Sequence, residues 1–142
     1  MIQFYNDTIP MPEIRPNEVR TWLKSVAADY GKKTGNINYI FCGDQKILEV
    51  NKKFLHHDYY TDVITFDYTT GNTLNGDIFI SLDTVRTNAA QARCSFDEEL
   101  HRILVHGLLH LCGQNDKTPE TRSQMTIKEN LALAKIFPSN LS

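Results

Sequence analysis

The sequence has few cysteines, no long apolar run and no basic leader, and each absence excludes a class of protein. No segment approaches the roughly 18 apolar residues that a membrane-spanning helix needs. The opening residues, MIQFYND, do not place a basic segment before an apolar one, so we expect no secretory signal. The 3 cysteines are Cys42, Cys94 and Cys112, and no two of them form a Cys-x-x-Cys pair. We therefore expect free thiols, a reducing compartment and a cytoplasmic location.

The sequence also lacks a strong charge of either sign. Its 142 residues include 15 Lys and Arg against 17 Asp and Glu, which gives a formal net charge of −2. This weak field neither excludes nor indicates a nucleic-acid partner, which would have to bind a local patch. Lysines outnumber acids between residues 31 and 53, a pattern more typical of a solvated surface than of a binding site. Length and composition predict one domain over residues 1–142.

Hydrophobic periodicity predicts helices and strands that do not follow a regular βαβ repeat. Runs of strand-forming residues predict strands at 2–4, 37–41, 63–66 and 77–80. The last two flank a turn-forming segment at 71–76, so a hairpin is the simplest connection between them. Helical spacing of apolar residues predicts helices over 16–30, 44–54, 81–92, 95–111 and 118–136. Together these elements predict an α+β fold, in which helices pack on one small mixed sheet.

Polar side chains at three of the predicted helix starts can cap free backbone N–H groups. Asp44 is the expected N-cap of the second helix. Either Ser81 or Asp83 begins the third helix. Ser95 and Glu98 have the spacing of a capping box, in which each side chain bonds the backbone N–H of the other residue.

The segment 106–116, HGLLHLCGQND, predicts a metal site at the end of the fourth helix. Residues four apart lie on one face of an α-helix, so His106 and His110 can direct two imidazoles at one point. Gly113 can end the helix in a left-handed conformation and turn Asp116 back towards the imidazoles as a third ligand. Two imidazoles and one carboxylate suit Zn²⁺ and leave a fourth position for water. Cys112, two positions after His110, is expected to point away from the metal into the core.

The residue after the first histidine bears on the reaction that such a site would catalyse. In His-Glu-x-x-His metalloproteases that residue is a glutamate, which serves as the general base. Here it is Gly107, so a peptidase would lack its proton acceptor. A metal ion alone can lower the pKa of bound water to around 7, and it can polarise a phosphoryl oxygen. The motif therefore allows phosphodiester cleavage at least as well as peptide cleavage and does not decide between them.

Three segments of the chain resemble the YbeY-type rRNA maturation factors, a family of bacterial endoribonucleases. Segment 106–113, HGLLHLCG, is similar to the family signature His-Gly-x-Leu-His-Leu-x-Gly. Asn51 with segment 61–66, TDVITF, is similar to the Asn…Thr-Asp-Val-Leu-Ser-Phe block of the family, and segment 76–78 to its Gly-Asp-Ile strand. The order and separations of these segments also fit, so the resemblance extends over residues 35–137.

The resemblance implies a zinc-dependent endoribonuclease, specific for single strands, that acts in maturation of the 16S rRNA 3′ end and in ribosome quality control. It implies a 16S rRNA precursor as substrate and the ribosome or its proteins as partners, in the cytoplasm. It also implies an α+β fold related to metalloproteases. One zinc ion would be held by His106, His110 and Asp116, which would act in catalysis through the metal-bound water. The general base stays unassigned.

Two positions differ from the pattern that the family usually shows. The family usually carries Asp-His where this chain has Asn115-Asp116, and Asp116 falls on the position of the third ligand. A carboxylate can coordinate zinc, but its negative charge makes the metal a weaker Lewis acid. Leu55 stands where the family commonly has an arginine suited to a phosphate. The candidates to replace that arginine are His56, His57, Lys52 and Lys53.

Two residues outside the metal-binding segment are predicted to contact substrate. His57 is one of them, and its alternative is an ordinary position in a surface loop. Asp62, in the Thr-Asp-Val segment, is the other, and its alternative is a structural role at the end of a strand.

The residues alone leave two other functions open. Metallopeptidase-like hydrolases share the His-x-x-x-His…Gly spacing, although the missing glutamate counts against a peptidase. A non-catalytic ribosome-assembly factor would use zinc only to hold the helix end against the following loop.

Overall fold

This computed structural model describes residues 1–55 and 62–137. They contain four strands, five α-helices and one short π-helix. The strands are β1 (Ile2–Asn6), β2 (Lys33–Cys42), β3 (Val63–Asp67) and β4 (Thr73–Ser81). The α-helices are α1 (Pro16–Asp29), α2 (Asp44–Val50), α3 (Leu82–Ala92), α4 (Phe96–Leu111) and α5 (Pro119–Leu133). The π-helix, Asn51–Leu55, continues α2. The predicted α+β class is confirmed.

The strands form one mixed sheet with the order β1-β2-β4-β3. Strand β2 pairs in parallel with both β1 and β4, so that Ile37 lies opposite Ile2 on one side and Gly76 on the other. Strand β3 is antiparallel to β4, with Val63 opposite Ile80, which confirms the predicted hairpin. Strand β3 therefore forms one edge of the sheet.

The two faces of the sheet carry separate hydrophobic clusters, because successive strand residues point to opposite faces. The larger cluster packs α1, α3, α4 and α5 on one face, and the Tyr39 hydroxyl donates to the Leu104 carbonyl at 2.7 Å. The indole N–H of Trp22 donates to the Ala132 carbonyl at 2.9 Å and so links α1 to α5. The smaller cluster packs α2 on the other face and consists of Cys42, Ile47, Val50 and Ile64.

Helix starts follow the sequence signals in part. Ser81, one of the two predicted starts, is the N-cap of α3. Ser95 accepts the Glu98 N–H at 3.0 Å, which is one of the two bonds of the predicted capping box. Among the described residues the complete reciprocal box lies at the start of α5, between Thr118 and Thr121.

The prediction that Asp44 caps α2 is wrong by one residue. Gly43 is the N-cap, and the Asp44 carboxylate instead accepts the hydroxyls of Ser81 and Thr84 at 2.5 and 2.7 Å. The Asp83 carboxylate accepts the Asp44 N–H at 3.0 Å, so a side chain from α3 supplies the missing cap. Contacts between helices thus replace the local cap.

Two predicted helices end earlier than their apolar spacing suggests. Helix α2 stops at Val50 and changes to the π-helix, in which Asn51 is buried. Helix α5 stops at Leu133, and Leu131 is 60% exposed because the packed face carries Met125, Glu129, Ala132 and Leu133 instead. None of the helices described here is both long and apolar enough to cross a membrane.

Candidate metal centre

Helix α4 holds the two histidines of the predicted site in firmly packed helix. Ser95 caps its first turn, which also carries three acidic residues where the helix dipole favours negative charge. Leu104 and Leu108 are fully buried and fix the helix against the sheet. His106 and His110 lie beside this buried stripe and are partly exposed. Both imidazoles are therefore held at the border of the core.

The chain reverses direction after α4 through a Schellman motif centred on Gly113. The Gln114 N–H donates to the Leu109 carbonyl at 3.0 Å, and the Gly113 N–H donates to the His110 carbonyl at 2.9 Å. Gly113 has φ of 99°, a left-handed conformation that favours glycine. The turn directs Asp116 back to the two histidines, as the sequence predicted.

Three ligand atoms converge at the end of α4. The Nε2 atoms of His106 and His110 are 3.0 Å apart, and Oδ2 of Asp116 lies 3.4 and 3.3 Å from them. Zinc bonds of about 2.0–2.1 Å in a tetrahedron place neighbouring ligands about 3.3 Å apart. The spacing therefore fits a divalent ion, and His106, His110 and Asp116 could hold one.

The other ring nitrogens are committed to oxygen acceptors. Nδ1 of His106 lies 2.6 Å from Oε2 of Glu129, and Nδ1 of His110 lies 3.0 Å from the Gln114 carbonyl oxygen. Oxygens of this kind accept a proton from Nδ1, so both Nε2 atoms present lone pairs in the neutral rings. In that state two lone pairs and a carboxylate oxygen face one another, and a cation bound between them would relieve their repulsion. The donor set thus fits a metal on chemical grounds as well as on distance.

Burial and acidic neighbours act in opposite directions on the two imidazoles. Burial is the largest single influence on His106 and lowers its pKa, but Glu129, Asp62 and Asp116 together raise that pKa above its ordinary value. The pKa of His110 is lowered, first by burial and then by the charge of His106. The His110 ring is therefore readily neutral, whereas a metal ion bound at His106 would compete with a proton for that ring.

Glu129 on α5 is a site residue that the sequence reasoning missed. Its side chain is 9% exposed, and its second oxygen lies 3.2 Å from Nη1 of Arg102. Glu99 is also buried and lies 3.8 Å from Nε of the same arginine, and burial raises the pKa of its carboxyl. The available signal was position, because Glu129 falls on the α5 face that Met125 and Leu133 bury.

Gly107 and Cys112 both face away from the ligand atoms. A Cβ added to Gly107 would lie 2.9 Å from Cγ2 of Ile78, so this position packs on β4. Cys112 packs against the larger hydrophobic cluster, as predicted, and burial raises the pKa of its thiol. Neither residue offers a proton acceptor to the site.

Of the two predicted substrate contacts, only Asp62 can be located. Its carbonyl accepts the Ser81 N–H at 2.9 Å, and its carboxylate accepts from the Asn88 amide at 3.4 Å. Its charge also contributes to the raised pKa of His106. Asp62 thus combines a structural bond before β3 with an electrostatic influence on His106. His57 lies outside the described residues.

Comparison with known proteins places the chain in a family. The family model described as Endoribonuclease YbeY matches residues 2–136. Proteins of that name in Parabacteroides distasonis and Bacteroides thetaiotaomicron are 59% and 56% identical over 133 residues, which are 94% of this chain and 94% and 97% of theirs. The relative in Porphyromonas gingivalis is 47% identical over 95% of this chain and 89% of its own.

A solved structure supports the fold independently of close sequence similarity. The solution structure of TM1509 from Thermotoga maritima aligns with a TM-score of 0.65 at 22% identity, covering 99% of this chain and 93% of that one. At this identity the likeness concerns the fold alone. The family match over nearly the whole chain and the close relatives lead to one conclusion: the chain belongs to the YbeY endoribonuclease family.

Proposed function

We propose that this chain is a zinc-dependent endoribonuclease that cleaves single-stranded regions of a 16S rRNA precursor, in 3′-end maturation and ribosome quality control. One observation carries the proposal: two imidazole nitrogens and one carboxylate oxygen converge in a chain of the YbeY endoribonuclease family. His106, His110 and Asp116 are the proposed zinc ligands and act in catalysis through the metal. When bound, zinc supplies a Lewis acid and lowers the pKa of its water to about 7.

The residues of the site divide the work of binding and orientation. Glu129 and the Gln114 carbonyl hold the two imidazoles with Nε2 directed at the metal position. Asp116 contributes one negative charge, which offsets part of the metal charge and makes this site a weaker Lewis acid than a three-histidine site. Asp62 and His57 stay our candidates for substrate contact, and the general base stays unassigned because Gly107 has no side chain.

The proposed setting is the cytoplasm, with the ribosome or its proteins as partners. The cysteines Cys42, Cys94 and Cys112 are free thiols, which supports a reducing compartment. The proposed unit of function is the whole chain, residues 1–142, as one domain. The match of a single family model to residues 2–136 supports this view.

Asp116→Ala tests the proposal. We expect the variant to lose stoichiometric zinc and to cleave single-stranded RNA at least about 100-fold more slowly, because a ligand matters more than the outer partners of a metal site, whose loss costs about 10–100-fold. Asp116→His keeps three ligands and should retain zinc. Metal analysis and cleavage of a labelled oligoribonucleotide give the two readouts.

The matched control is Glu120→Ala, an exposed acid in the first turn of α5. It should behave as the wild type in both measurements. Equal cleavage by the wild type and Asp116→Ala would overturn the assignment. Cleavage of an unstructured protein with RNA left intact would favour a peptidase. Loss of zinc with undiminished rRNA processing in cells would favour an assembly factor.

A further inference from the structure

Phe54 is an exposed phenylalanine for which the fold alone gives no reason. It lies in the π-helix Asn51–Leu55 and is 57% exposed, and no other phenylalanine within residues 1–55 and 62–137 is exposed. An exposed aromatic ring forgoes the stabilisation that its burial would bring. Short π-helical turns also occur often at functional sites. Both observations are typical of a residue that serves function rather than stability.

The Phe54 ring is held in place despite its exposure. It packs edge-to-face on Phe66, with ring centroids 5.8 Å apart and planes at 83°. Phe66 packs in the same way on Phe79, at 6.0 Å and 84°. Phe66 and Phe79 in turn pack against the smaller hydrophobic cluster. Phe54 is therefore the outer member of a supported ladder of three rings and presents a fixed aromatic surface.

Two lysines lie in the same short helix as this ring, whereas carboxylates lie against the histidines of the metal centre. The Lys53 ammonium lies 5.4 Å from the centroid of Phe54, and Lys52 precedes it in the same exposed turn. Asp116 and Glu129 lie against the histidine pair, and their two negative charges would offset the charge of a divalent ion held there. An RNA strand bound at the metal centre therefore needs cations from outside it to meet its phosphates.

Strand β3 connects the ring ladder to the metal centre. A Cβ at Gly76 would lie 2.6 Å from the Phe66 carbonyl oxygen and 2.9 Å from Cδ2 of Leu111, so Phe66 and the end of α4 approach each other there. Leu111 follows His110 directly. Helix α4, which carries both histidines, also packs against β3. The edge strand thus runs beside the metal centre, with Phe54 packed on its far face.

We propose that Phe54 stacks against a base of the bound RNA strand while Lys53 contacts a neighbouring phosphate. The inference rests on the proposed function, because it takes RNA as the substrate. Stacking on an aromatic ring accepts every base and requires that the base be unpaired, which favours single-stranded over duplex RNA. A flexible lysine can leave the ring and pair with a phosphate when the strand arrives.

The test compares steady-state cleavage of a single-stranded oligoribonucleotide by zinc-loaded variants. Phe54→Leu should raise KM about 10-fold or more and leave kcat nearly unchanged, because stacking of one base is lost. Phe54→Trp keeps a stacking surface and should restore the wild-type KM. Lys53→Gln should reduce the slope of log KM against log salt by about 0.7, the value for one single-strand phosphate contact.

Tyr5→Leu is the matched control. Tyr5 is 47% exposed on β1, at the opposite edge of the sheet, and its loss should leave KM unchanged. Equal KM values for the wild type and Phe54→Leu would overturn the inference while leaving the proposed function intact. Absence of RNA cleavage by the zinc-loaded wild type would overturn both. Failure of Phe54→Trp to restore KM would show that the ring supports the fold rather than a base.

Discussion

Glu129 brings a carboxylate into the packed face of α5 and gives each of its oxygens a partner. One oxygen lies 2.6 Å from Nδ1 of His106 and the other 3.2 Å from Arg102. A buried carboxylate is costly unless it is bonded in this way, so its position indicates a task. It selects the ring orientation and tautomer that present Nε2 to a metal ion. Arg102 holds the carboxylate in turn.

Glu129→Gln should weaken zinc binding by about 10–100-fold, because the neutral amide supports the His106 ring less strongly than a carboxylate does. Competition with a chromophoric chelator measures the affinity. Glu99→Gln is the control, since Glu99 is buried beside the same arginine. Equal losses of affinity in the two variants would assign the effect to Arg102 instead of His106.

The position of Asp116 beside the two histidines could be predicted from the sequence, but the contact of Glu129 with His106 could not. Asp116 follows His110 at a short fixed distance, and Gly113 marks the turn between them, so local rules are sufficient. Glu129 reaches His106 only because α5 packs on α4, and that packing depends on contacts far apart along the chain. Position on the buried face of α5 was the only local signal.

At the scale of elements, local signals located the hairpin and some of the helix starts, and distant contacts decided the rest. Ser81 and the Thr118-Pro119 pair begin their helices as expected. The sheet order was not predictable, because Ile37 pairs with residues more than thirty positions away on both sides. Leu131 has helical spacing from other apolar residues and is nevertheless exposed. Contacts with other elements, and not the local sequence, decide which face of α5 is buried.

Gly113→Ala should lower the free energy of unfolding by about 1–2 kcal/mol, the cost of a left-handed conformation for a residue with a Cβ. Within residues 1–55 and 62–137, no atom beyond the two adjacent residues lies within 4 Å of the added Cβ, so the cost comes from the backbone conformation. The variant should also bind zinc more weakly, because the turn directs Asp116. Chemical denaturation and metal titration measure the two effects.

Gly31→Ala separates the two consequences of that change. Gly31 follows α1 and has φ of 72°, and an added Cβ there likewise meets no atom of the described part of the chain within 4 Å, apart from the adjacent residues. It should lose similar stability and keep the wild-type zinc affinity. Equal zinc affinity for Gly113→Ala and Gly31→Ala would show that the turn does not position the ligand.

At the scale of the whole molecule, the proposed metal would link segments from the last third of the chain, which the fold brings together. His106 and His110 come from α4, Asp116 comes from the following turn, and Glu129 supports His106 from α5. An ion at this point would tie the last two α-helices to each other. Metal binding would therefore stabilise the native state as well as serve the reaction.

Chelation should lower the thermal midpoint of unfolding of the zinc-loaded protein by about 10 °C. Zinc at about 1,000 times its dissociation constant stabilises the native state by about 4 kcal/mol, and each kcal/mol shifts the midpoint of a chain this size by about 2–4 °C. Circular dichroism measures the shift. His110→Ala should show no response to the chelator, and an unchanged midpoint in the wild type would contradict a coupling of metal to folding.

The bond from Trp22 to α5 has a practical consequence. Trp22 is the single tryptophan of the sequence and is 4% exposed. Its ring centroid lies 5.5 Å from that of His101 on α4. The indole of α1 therefore contacts both α4 and α5, and its fluorescence emission depends on whether α5 is packed against the other two helices. Packing of α5, the helix that carries Glu129, can therefore be followed by intrinsic fluorescence in the unlabelled protein.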